Sequence, residues 1–205
     1  MSSPFSAAAD RNKEVIGDAL ADYFNEPVKV CEIGSGTGQH AIYFCDRFPA
    51  VSWQPTDQGS HIDTLSKACS QVTLENLLTP IELEVSTCIR QPALLQALPE
   101  EHYSFIYSAN TAHIMSMEDV ISMFTLVGSV LKEAGLYALY GPFKVDGVHT
   151  SEGNRNFDQS LRMEKPHMGI RNKEDLLVLG TEQGLQLVKD IPMPANNRIL
   201  LWRRV

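Results

Sequence analysis

Apolar positions along the chain alternate between the two spacings that are typical of strands and of helices. Short β-rich runs predict buried strands, and apolar residues three or four positions apart predict amphipathic helices. Each of the first five predicted strands is followed by a segment long enough to cross over to the next one. The predicted strands are residues 28–33, 51–56, 81–85, 103–108, 136–140, 185–188 and 199–202.

The clearest helix pattern lies between the fourth and fifth predicted strands. Ser116, followed three residues later by Asp119, predicts a capping box. Met117 and Ile121 belong to the apolar stripe that is expected to be buried, and Gly135 is expected to end the helix as a left-handed residue. Residues 92–98 and 157–163 each allow a short helix. The other predicted helices are residues 10–24, 39–48, 59–77 and 172–183.

Strands that alternate with helices predict an α/β fold with a doubly wound, mostly parallel sheet and helices on both faces. Only residues 193–197 separate the last two strands, so we expect a hairpin-like ending with an antiparallel last strand. Residues 1–205 are interpreted as a single domain, with an N-terminal helical arm at 1–26. Residues 141–169 are polar and contain glycines, which predicts an irregular insertion or lid.

Composition narrows the kinds of partner. The chain has 17 basic and 25 acidic residues and a net charge of -8 at pH 7, and its basic residues are scattered, which argues against a nucleic-acid partner. No apolar run approaches the ~20 residues that span a bilayer. The first residues lack a secretory-signal pattern. We therefore expect a small-molecule partner, no membrane partner and a cytoplasmic location.

Cysteine spacing gives no sign of a metal site. Cys31, Cys45, Cys69 and Cys88 form no Cys-x-x-Cys pair, and no histidine stands at a metal-ligand spacing from them. They are interpreted as reduced side chains that fill the core. No metal ligand is predicted.

A glycine-rich segment joins the first predicted strand to the second predicted helix. Glycines allow a sharp turn and a close backbone approach to a ligand, and a helix N-terminus offers unpaired N–H groups to a carboxylate or phosphate. The dinucleotide fingerprint G-x-G-x-x-G would need a glycine at position 39, where this chain has Gln39. The alternative is a tight turn without a ligand.

The spacing Glu32-x-Gly34-x-Gly36-x-Gly38 resembles motif I of the class I S-adenosylmethionine-dependent methyltransferases. This resemblance covers residues 28–140. It implies a Rossmann-like seven-stranded methyltransferase sheet and S-adenosyl-L-methionine as the cofactor, with the loop around the methionine end. The loop residues implied in cofactor binding are Glu32, Gly34, Ser35, Gly36, Thr37 and Gly38.

Two acidic residues at strand ends extend the predicted site. Asp57 lies 23 residues after Gly34, near the ~20-residue offset at which an acid accepts hydrogen bonds from ribose hydroxyls. Its alternative role is that of a helix cap or turn residue. Glu84 occupies the place where these methyltransferases commonly present an Asp to the adenine amino group. Its alternative role is that of a solvated acid at a strand end.

Five stretches of the chain are similar to the family called domain of unknown function 938, which includes the animal methyltransferase-like 26 proteins. The similarity runs nearly end to end, and it implies the methyltransferase fold and the same cofactor. In this family we expect an Asp after the third strand, where this chain has Glu84. The five stretches are residues 9–14, 35–41, 53–57, 140–144 and 193–197.

Candidates for the chemistry follow the fourth and fifth predicted strands. His113 is a candidate general base near neutral pH, and Asn110 a candidate to orient the acceptor or the amino acid part of the cofactor. The alternative for His113 is a hydrogen-bonded cap. Tyr140 and Lys144 are candidates to line the acceptor pocket. The alternative for this pair is a rigid Gly-Pro turn with solvated charges.

Two further groups of residues complete the prediction. Arg11 and Asn12 begin the first helix, which is expected to fold over the cofactor; the alternative is a salt bridge to a surface acid. The insertion carries positive charge that suits a small acidic acceptor. The charged residues concerned are His149, Arg155, Arg162 and Lys165.

These features together predict a methyltransferase that transfers a methyl group from S-adenosyl-L-methionine to a small molecule. A non-catalytic S-adenosylmethionine-binding module or sensor is the alternative. A nucleotide-linked oxidoreductase is a third hypothesis, disfavoured by Gln39. The pattern of residues does not indicate an oligomeric state.

Overall fold

A computed structural model describes residues 5–90, 98 and 102–205. The short helix predicted at 92–98 lies outside the described residues, except for Leu98. Helices α1–α7 are Ala7–Phe24, Gln39–Arg47, Gly59–Cys69, Val85–Arg90, Met117–Val130, Glu152–Glu164 and Lys173–Glu182. Strands β1–β9 are Val28–Ile33, Val51–Asp57, Ile81–Glu82, Tyr103–Ala109, Leu131–Val145, Val148–His149, Arg171–Asn172, Leu185–Met193 and Asn197–Arg204.

Seven strands form the main sheet in the order β3-β2-β1-β4-β5-β9-β8. The first five of these strands pair in parallel, and β9 runs antiparallel between β5 and β8. The predicted α/β fold, with its mostly parallel sheet and antiparallel last strand, is confirmed. Because the chain order reverses beside β1, the segments that follow β1 and β4 lead to helices on opposite faces of the sheet and leave a crevice between them.

A hydrophobic core covers each face of the sheet. On β4, Phe105 and Tyr107 join the core formed with α1 and α2, while Ile106 joins the core formed with α5 and α7. This alternation follows from the two-residue period of a strand. The buried residues on both faces explain why the central strands are apolar almost throughout.

Helix α5 begins as predicted and ends earlier. The Ser116 and Asp119 capping box is present. Met117 and Ile121 are exposed rather than buried, since Met123 and Leu126 contribute to the face that packs against the sheet. The helix ends at Val130, and the left-handed residue that follows is Ala134 rather than Gly135.

Residues 141–169 are mostly regular, in contrast to the predicted irregular insertion. Strand β5 continues to Val145 and pairs with β6, and α6 follows with Ser151 as its N-cap. Helix α6 buries only three side chains, so most of its sequence is polar. The short helix allowed at 157–163 lies within α6, whose polar first residues lack the apolar stripe by which periodicity identifies helices.

The third strand is also shorter than predicted. Strand β3 comprises only Ile81–Glu82 and pairs with Thr56 and Asp57 at the edge of the sheet. The chain then turns into α4, and Glu84 lies in this connection. Within the described residues, no helix combines the length and the apolar character that crossing a bilayer requires.

Replacing Phe24 tests the core beneath α1. Its ring contacts Phe48, Trp53 and Phe105 at centroid distances of 5.3, 5.9 and 5.0 Å. We expect Phe24→Ala to lower the free energy of unfolding by about 3–5 kcal/mol, because it leaves a cavity among rings that cannot collapse onto one another. Chemical denaturation measures this.

The control is Val178→Ala, since Val178 is 58% exposed. This substitution should change the free energy of unfolding by less than about 0.5 kcal/mol. Equal effects of the two substitutions would contradict the described core.

Candidate cofactor-binding site

A cavity of about 620 Å³ opens at the carboxyl ends of the central strands. This volume suits a small organic ligand. Its walls come from the ends of β1, β2 and β4, from the segment between β3 and α4, and from the segment after α6. The lining residues are Ser6, Ile33, Gly34, Gly36, Asp57, Gln58, Ser60, His61, Leu83, Glu84, Val85, Ser86, Ala109, Asn110, Thr111, Ile114, Met115, Asp119, Lys165, His167 and Met168.

The glycine loop passes along one wall of this cavity. Gly34 has a φ of +75°, and a Cβ added there would lie 2.6 Å from Thr111 Cγ2, so only glycine fits. Gly36 has a φ of +57°, and an added Cβ would meet no atom within 4 Å. The Gly34 and Ser35 N–H groups both donate to the Thr56 carbonyl. The loop backbone is therefore fixed at Gly34 and open to the cavity at Gly36.

Asp57 ties the loop to the end of β2. Its Oδ2 accepts from Gly36 N–H at 2.6 Å, and its Oδ1 accepts from Gln58 N–H at 2.8 Å. His61 Nδ1 lies 3.3 Å from the same Oδ1. Although only 6% exposed, Asp57 lines the cavity. Its carboxylate both holds the loop and faces the space where a ligand would lie.

Glu32 lies beneath the loop rather than in the cavity wall. Its Oε2 accepts from Trp53 Nε1 and Ser35 Oγ, each at 2.9 Å. Burial raises the pKa of Glu32 to about 7, with a smaller contribution from the Asp57 charge, against the lowering effect of the two hydrogen bonds. The side chain therefore positions the loop from below.

Gln39 connects the loop to the N-terminal arm. Its Oε1 accepts from Thr37 Oγ1 at 2.8 Å and from Ser6 N–H at 2.5 Å. Ser6 lines the cavity and caps α1. The residue that departs from the dinucleotide spacing thus joins the glycine loop to the start of the first helix.

Arg11 and Asn12 do not line the cavity. Arg11 is exposed on α1, whereas Asn12 is buried and its Oδ1 lies 2.7 Å from His40 Nε2. The Tyr140 side chain also hydrogen-bonds Asn12, and burial raises the Tyr140 pKa. Asn12 and Tyr140 therefore fix α1 against the sheet, behind the wall of the cavity.

Asn110 and Glu84 both lie at the cavity. Asn110 has a φ of +59°, uncommon outside glycine, and its N–H donates to the Tyr140 carbonyl. Glu84 is exposed beside Leu83 and Val85 in the cavity lining, and its Oε2 accepts from Thr87 Oγ1 at 2.6 Å. The glycine loop, Asp57, Glu84 and Asn110 are thus brought together around one space.

His113 and Lys144 do not line this space. His113 is only 7% exposed and its ring packs edge-on against Phe157. Burial, and then the Arg171 charge, lower the His113 pKa to about 4, which makes it a weak base. Lys144 Nζ pairs with Asp158 Oδ2 at 3.3 Å. Neither side chain is among the residues that line the cavity.

The sequence patterns did not predict several of the residues that line the cavity, namely Ile114, Met115, His167 and Met168. Ordinary apolar and loop residues carry no motif, and only the topology brings residues 114–115 next to 165–168. Arg171 was also missed. Its guanidinium donates to the carbonyls of Ala112, Met115 and His167, and so joins the two segments.

Comparisons with known proteins agree with this fold. The model of the family described as "Protein of unknown function (DUF938)" matches residues 3–204. The mitomycin 7-O-methyltransferase MmcR has a TM-score of 0.79 at 14% identity, over 97% of this chain and 56% of that chain. Human N-acetylserotonin methyltransferase, solved in complex with SAM, has a TM-score of 0.74 at 16% identity, over 94% of this chain and 51% of that chain.

The S-adenosylmethionine-dependent methyltransferase SibL gives a TM-score of 0.77 at 15% identity, over 97% of this chain and 56% of that chain. The chain spans about half the length of each of these solved structures. At such identities the likeness concerns the fold. This chain has the methyltransferase fold.

Replacing Glu32 tests its raised pKa. The unfolded chain ionises Glu32 near pH 4.5 and the folded chain near pH 7, so the folded state binds more protons between these values and its stability falls as pH rises through them. Glu32→Gln removes this loss. The stability of the variant relative to the unaltered protein should therefore increase between pH 5 and pH 8, by up to about 3 kcal/mol.

Urea denaturation across this pH range measures the difference in the free energy of unfolding between the variant and the unaltered protein. Because both proteins share all other titrating groups, the change of this difference with pH reports on Glu32 alone. Asp63→Asn, at an exposed position on α3, is the control and should show no such trend. A constant difference between Glu32→Gln and the unaltered protein would contradict the assigned environment of Glu32.

Proposed function

The chain belongs to the DUF938 family, and from that premise we propose that it is an S-adenosyl-L-methionine-dependent methyltransferase acting on a small molecule. One observation carries the proposal: Gly36 presents open backbone to the cavity directly beside the Asp57 carboxylate. An open glycine backbone beside a carboxylate accommodates a ligand that combines a ribose with a compact charged group. The named activities of the structural neighbours, mitomycin 7-O-methylation among them, support a small acceptor.

The described residues fit the parts of this cofactor. Asp57 would accept hydrogen bonds from the ribose hydroxyls. The adenine would lie beside Leu83, Glu84 and Val85. The methionine end would lie at Gly34 and Gly36, with Ser35, Thr37 and Gly38 maintaining the turn and Asn110 opposite.

The main role of the protein in this reaction is to align the cofactor with the acceptor. When bound, S-adenosylmethionine would supply a methyl group to a lone pair of the acceptor, and the products would be S-adenosylhomocysteine, the methylated acceptor and, where the acceptor atom carries a hydrogen, a proton. The lining residues bind both partners, orient them and exclude water. We assign His113, Tyr140, Lys144 and Asn12 to the support of the wall, because they lie behind it, and Arg11 to the exposed surface of α1.

The second candidate function is a non-catalytic S-adenosylmethionine-binding module. It is favoured by one observation, the position of His113, Tyr140 and Lys144 outside the cavity lining. Incubation with S-adenosylmethionine labelled on the methyl group and a metabolite extract separates the two functions. Labelled product supports the enzyme, and binding without any labelled product supports the module.

Calorimetry tests the cofactor. We expect the protein to bind S-adenosylhomocysteine and not NAD, and we expect Asp57→Ala to weaken binding at least tenfold, or ~1.4 kcal/mol. Asp63→Ala, on the exposed face of α3, is the control and should bind as the unaltered protein does. Unchanged binding in Asp57→Ala, or preferential binding of NAD, would argue against this cofactor.

The glycine loop allows a matched comparison. Gly34 and Gly147 both have a φ of +75°, but an added Cβ clashes with Thr111 at Gly34 and meets nothing within 4 Å at Gly147. Each alanine substitution should cost about 1–2 kcal/mol of stability for the left-handed backbone. Gly34→Ala should additionally abolish S-adenosylhomocysteine binding, because the loop must move.

Gly147→Ala should leave the binding constant unchanged, since Gly147 lies in the β5–β6 turn and outside the cavity lining. Calorimetry at a temperature where both variants remain folded gives the comparison. If Gly34→Ala bound S-adenosylhomocysteine as tightly as Gly147→Ala, the loop would not form part of the cofactor site.

A further inference from the structure

We propose that the methyl acceptor is a planar aromatic molecule with an anionic group, and that Lys165 binds this group at the wall formed by residues 165–168. This inference rests on the proposed function, because it assigns the half of the cavity that the cofactor leaves open. The cofactor residues belong to the ends of β1, β2, β3 and β4. The half assigned to the acceptor is lined by the segment before α5 and the segment after α6.

The wall at residues 165–168 is held in place at successive positions. Lys165 N–H donates to the Leu161 carbonyl, Met168 N–H to the Lys165 carbonyl, and Gly169 N–H to the His113 carbonyl. Each of these hydrogen bonds measures between 2.9 and 3.0 Å. Lys165 therefore extends from a fixed turn rather than from a loose surface loop.

Two charged side chains anchor this wall from behind. Asp158 Oδ1 accepts from Ile170 N–H at 2.6 Å, and Arg171 reaches the carbonyls of both His167 and Met115. Although burial favours its protonated form, the hydrogen bond from Ile170 and the neighbouring cations lower the Asp158 pKa to about 2. Asp158 thus stays charged, and the turn over the cavity is preorganised.

The close packing of Gly169 strengthens this anchor. A Cβ added at Gly169 would lie 2.6 Å from Arg162 Nη2 and 2.8 Å from Asp158 Oδ1. The backbone of the turn therefore lies directly on the ion pair between these two side chains, whose Nε–Oδ2 distance is 3.3 Å. This contact holds the end of the turn that carries Lys165 and His167.

Lys165 is the cationic side chain of the cavity lining that can pair with an anion. The three acids in the lining already accept hydrogen bonds from the protein: Asp57 from Gly36, Glu84 from Thr87, and Asp119 from Ser116. Arg162, His149 and Lys144 are taken up by Asp158. Of the Lys and Arg side chains in the described residues, Lys165 is the one that lines the cavity, and its ammonium has no carboxylate partner, so it is free to bind a ligand.

The two segments assigned to the acceptor contribute apolar side chains to the cavity lining. These are Ile114, Met115 and Met168, and Ile114 is 44% exposed although it is a large aliphatic side chain. Thioethers make favourable contacts with aromatic rings and adapt to their shape. An aromatic ring over these residues, with a carboxylate or phenolate directed to Lys165, satisfies both parts of the wall.

Calorimetry on the protein saturated with S-adenosylhomocysteine tests the inference. The probe is 3-hydroxy-2-naphthoate, and its neutral counterpart is 3-hydroxy-2-naphthamide, which has nearly the same shape. We expect the carboxylate to bind about tenfold more tightly than the amide, and Lys165→Gln to remove this difference. Lys132→Gln, at an exposed position outside the cavity lining, should preserve it.

Each alternative result has a distinct meaning. The inference is overturned if the carboxylate and the amide bind equally, if the carboxylate does not bind, or if Lys165→Gln keeps the preference for the carboxylate. In each of these cases, binding of S-adenosylhomocysteine by the unaltered protein leaves the proposed function intact. Failure of the unaltered protein to bind S-adenosylhomocysteine overturns the proposed function, and the inference falls with it.

Discussion

The left-handed backbone at Gly34 is the constraint on which the rest of the site depends. A Cβ added at Gly34 would lie 2.6 Å from the Thr111 methyl group, so any larger residue would push β1 and the segment after β4 apart. These are the two strand ends at which the chain order of the sheet reverses. The close contact between them determines how wide the crevice opens, and so where a ligand can lie.

Two buried carboxylates stabilise opposite sides of the cavity in different ways. Within the described part of the chain, Glu32 has two neutral hydrogen-bond donors, and its one ion-pair candidate is His40, 3.9 Å away, whose own pKa is lowered to about 4, so burial dominates and raises the pKa of Glu32. Asp158 has Lys144 and Arg162 within 3.3 Å and remains ionised. The glycine loop therefore rests on a group that titrates near neutral pH, whereas the wall at residues 165–168 rests on one that does not.

Local patterns predicted the elements that depend on local chemistry. The bounds of β1, the glycine turn and the Ser116 cap follow from residues adjacent in sequence, and the structure has them as predicted. The extension of β5 past Tyr140 was not predictable in this way, because its partners β6, β7 and β9 come later in the chain. This extension pairs Lys144 with Asp158, and the fold places Tyr140 against Asn12, both outside the cavity. Strand-end position alone could not distinguish these side chains from Asn110, which does reach it.

An experimental structure of the protein with S-adenosylhomocysteine is the most direct test of this account, because it locates each part of the ligand against the loop. The account predicts the ribose hydroxyls on the Asp57 carboxylate, the adenine beside Leu83 and Val85, and the departed methyl position directed toward Met115 and Met168. A ligand bound elsewhere, or one with its ribose away from Asp57, would contradict it.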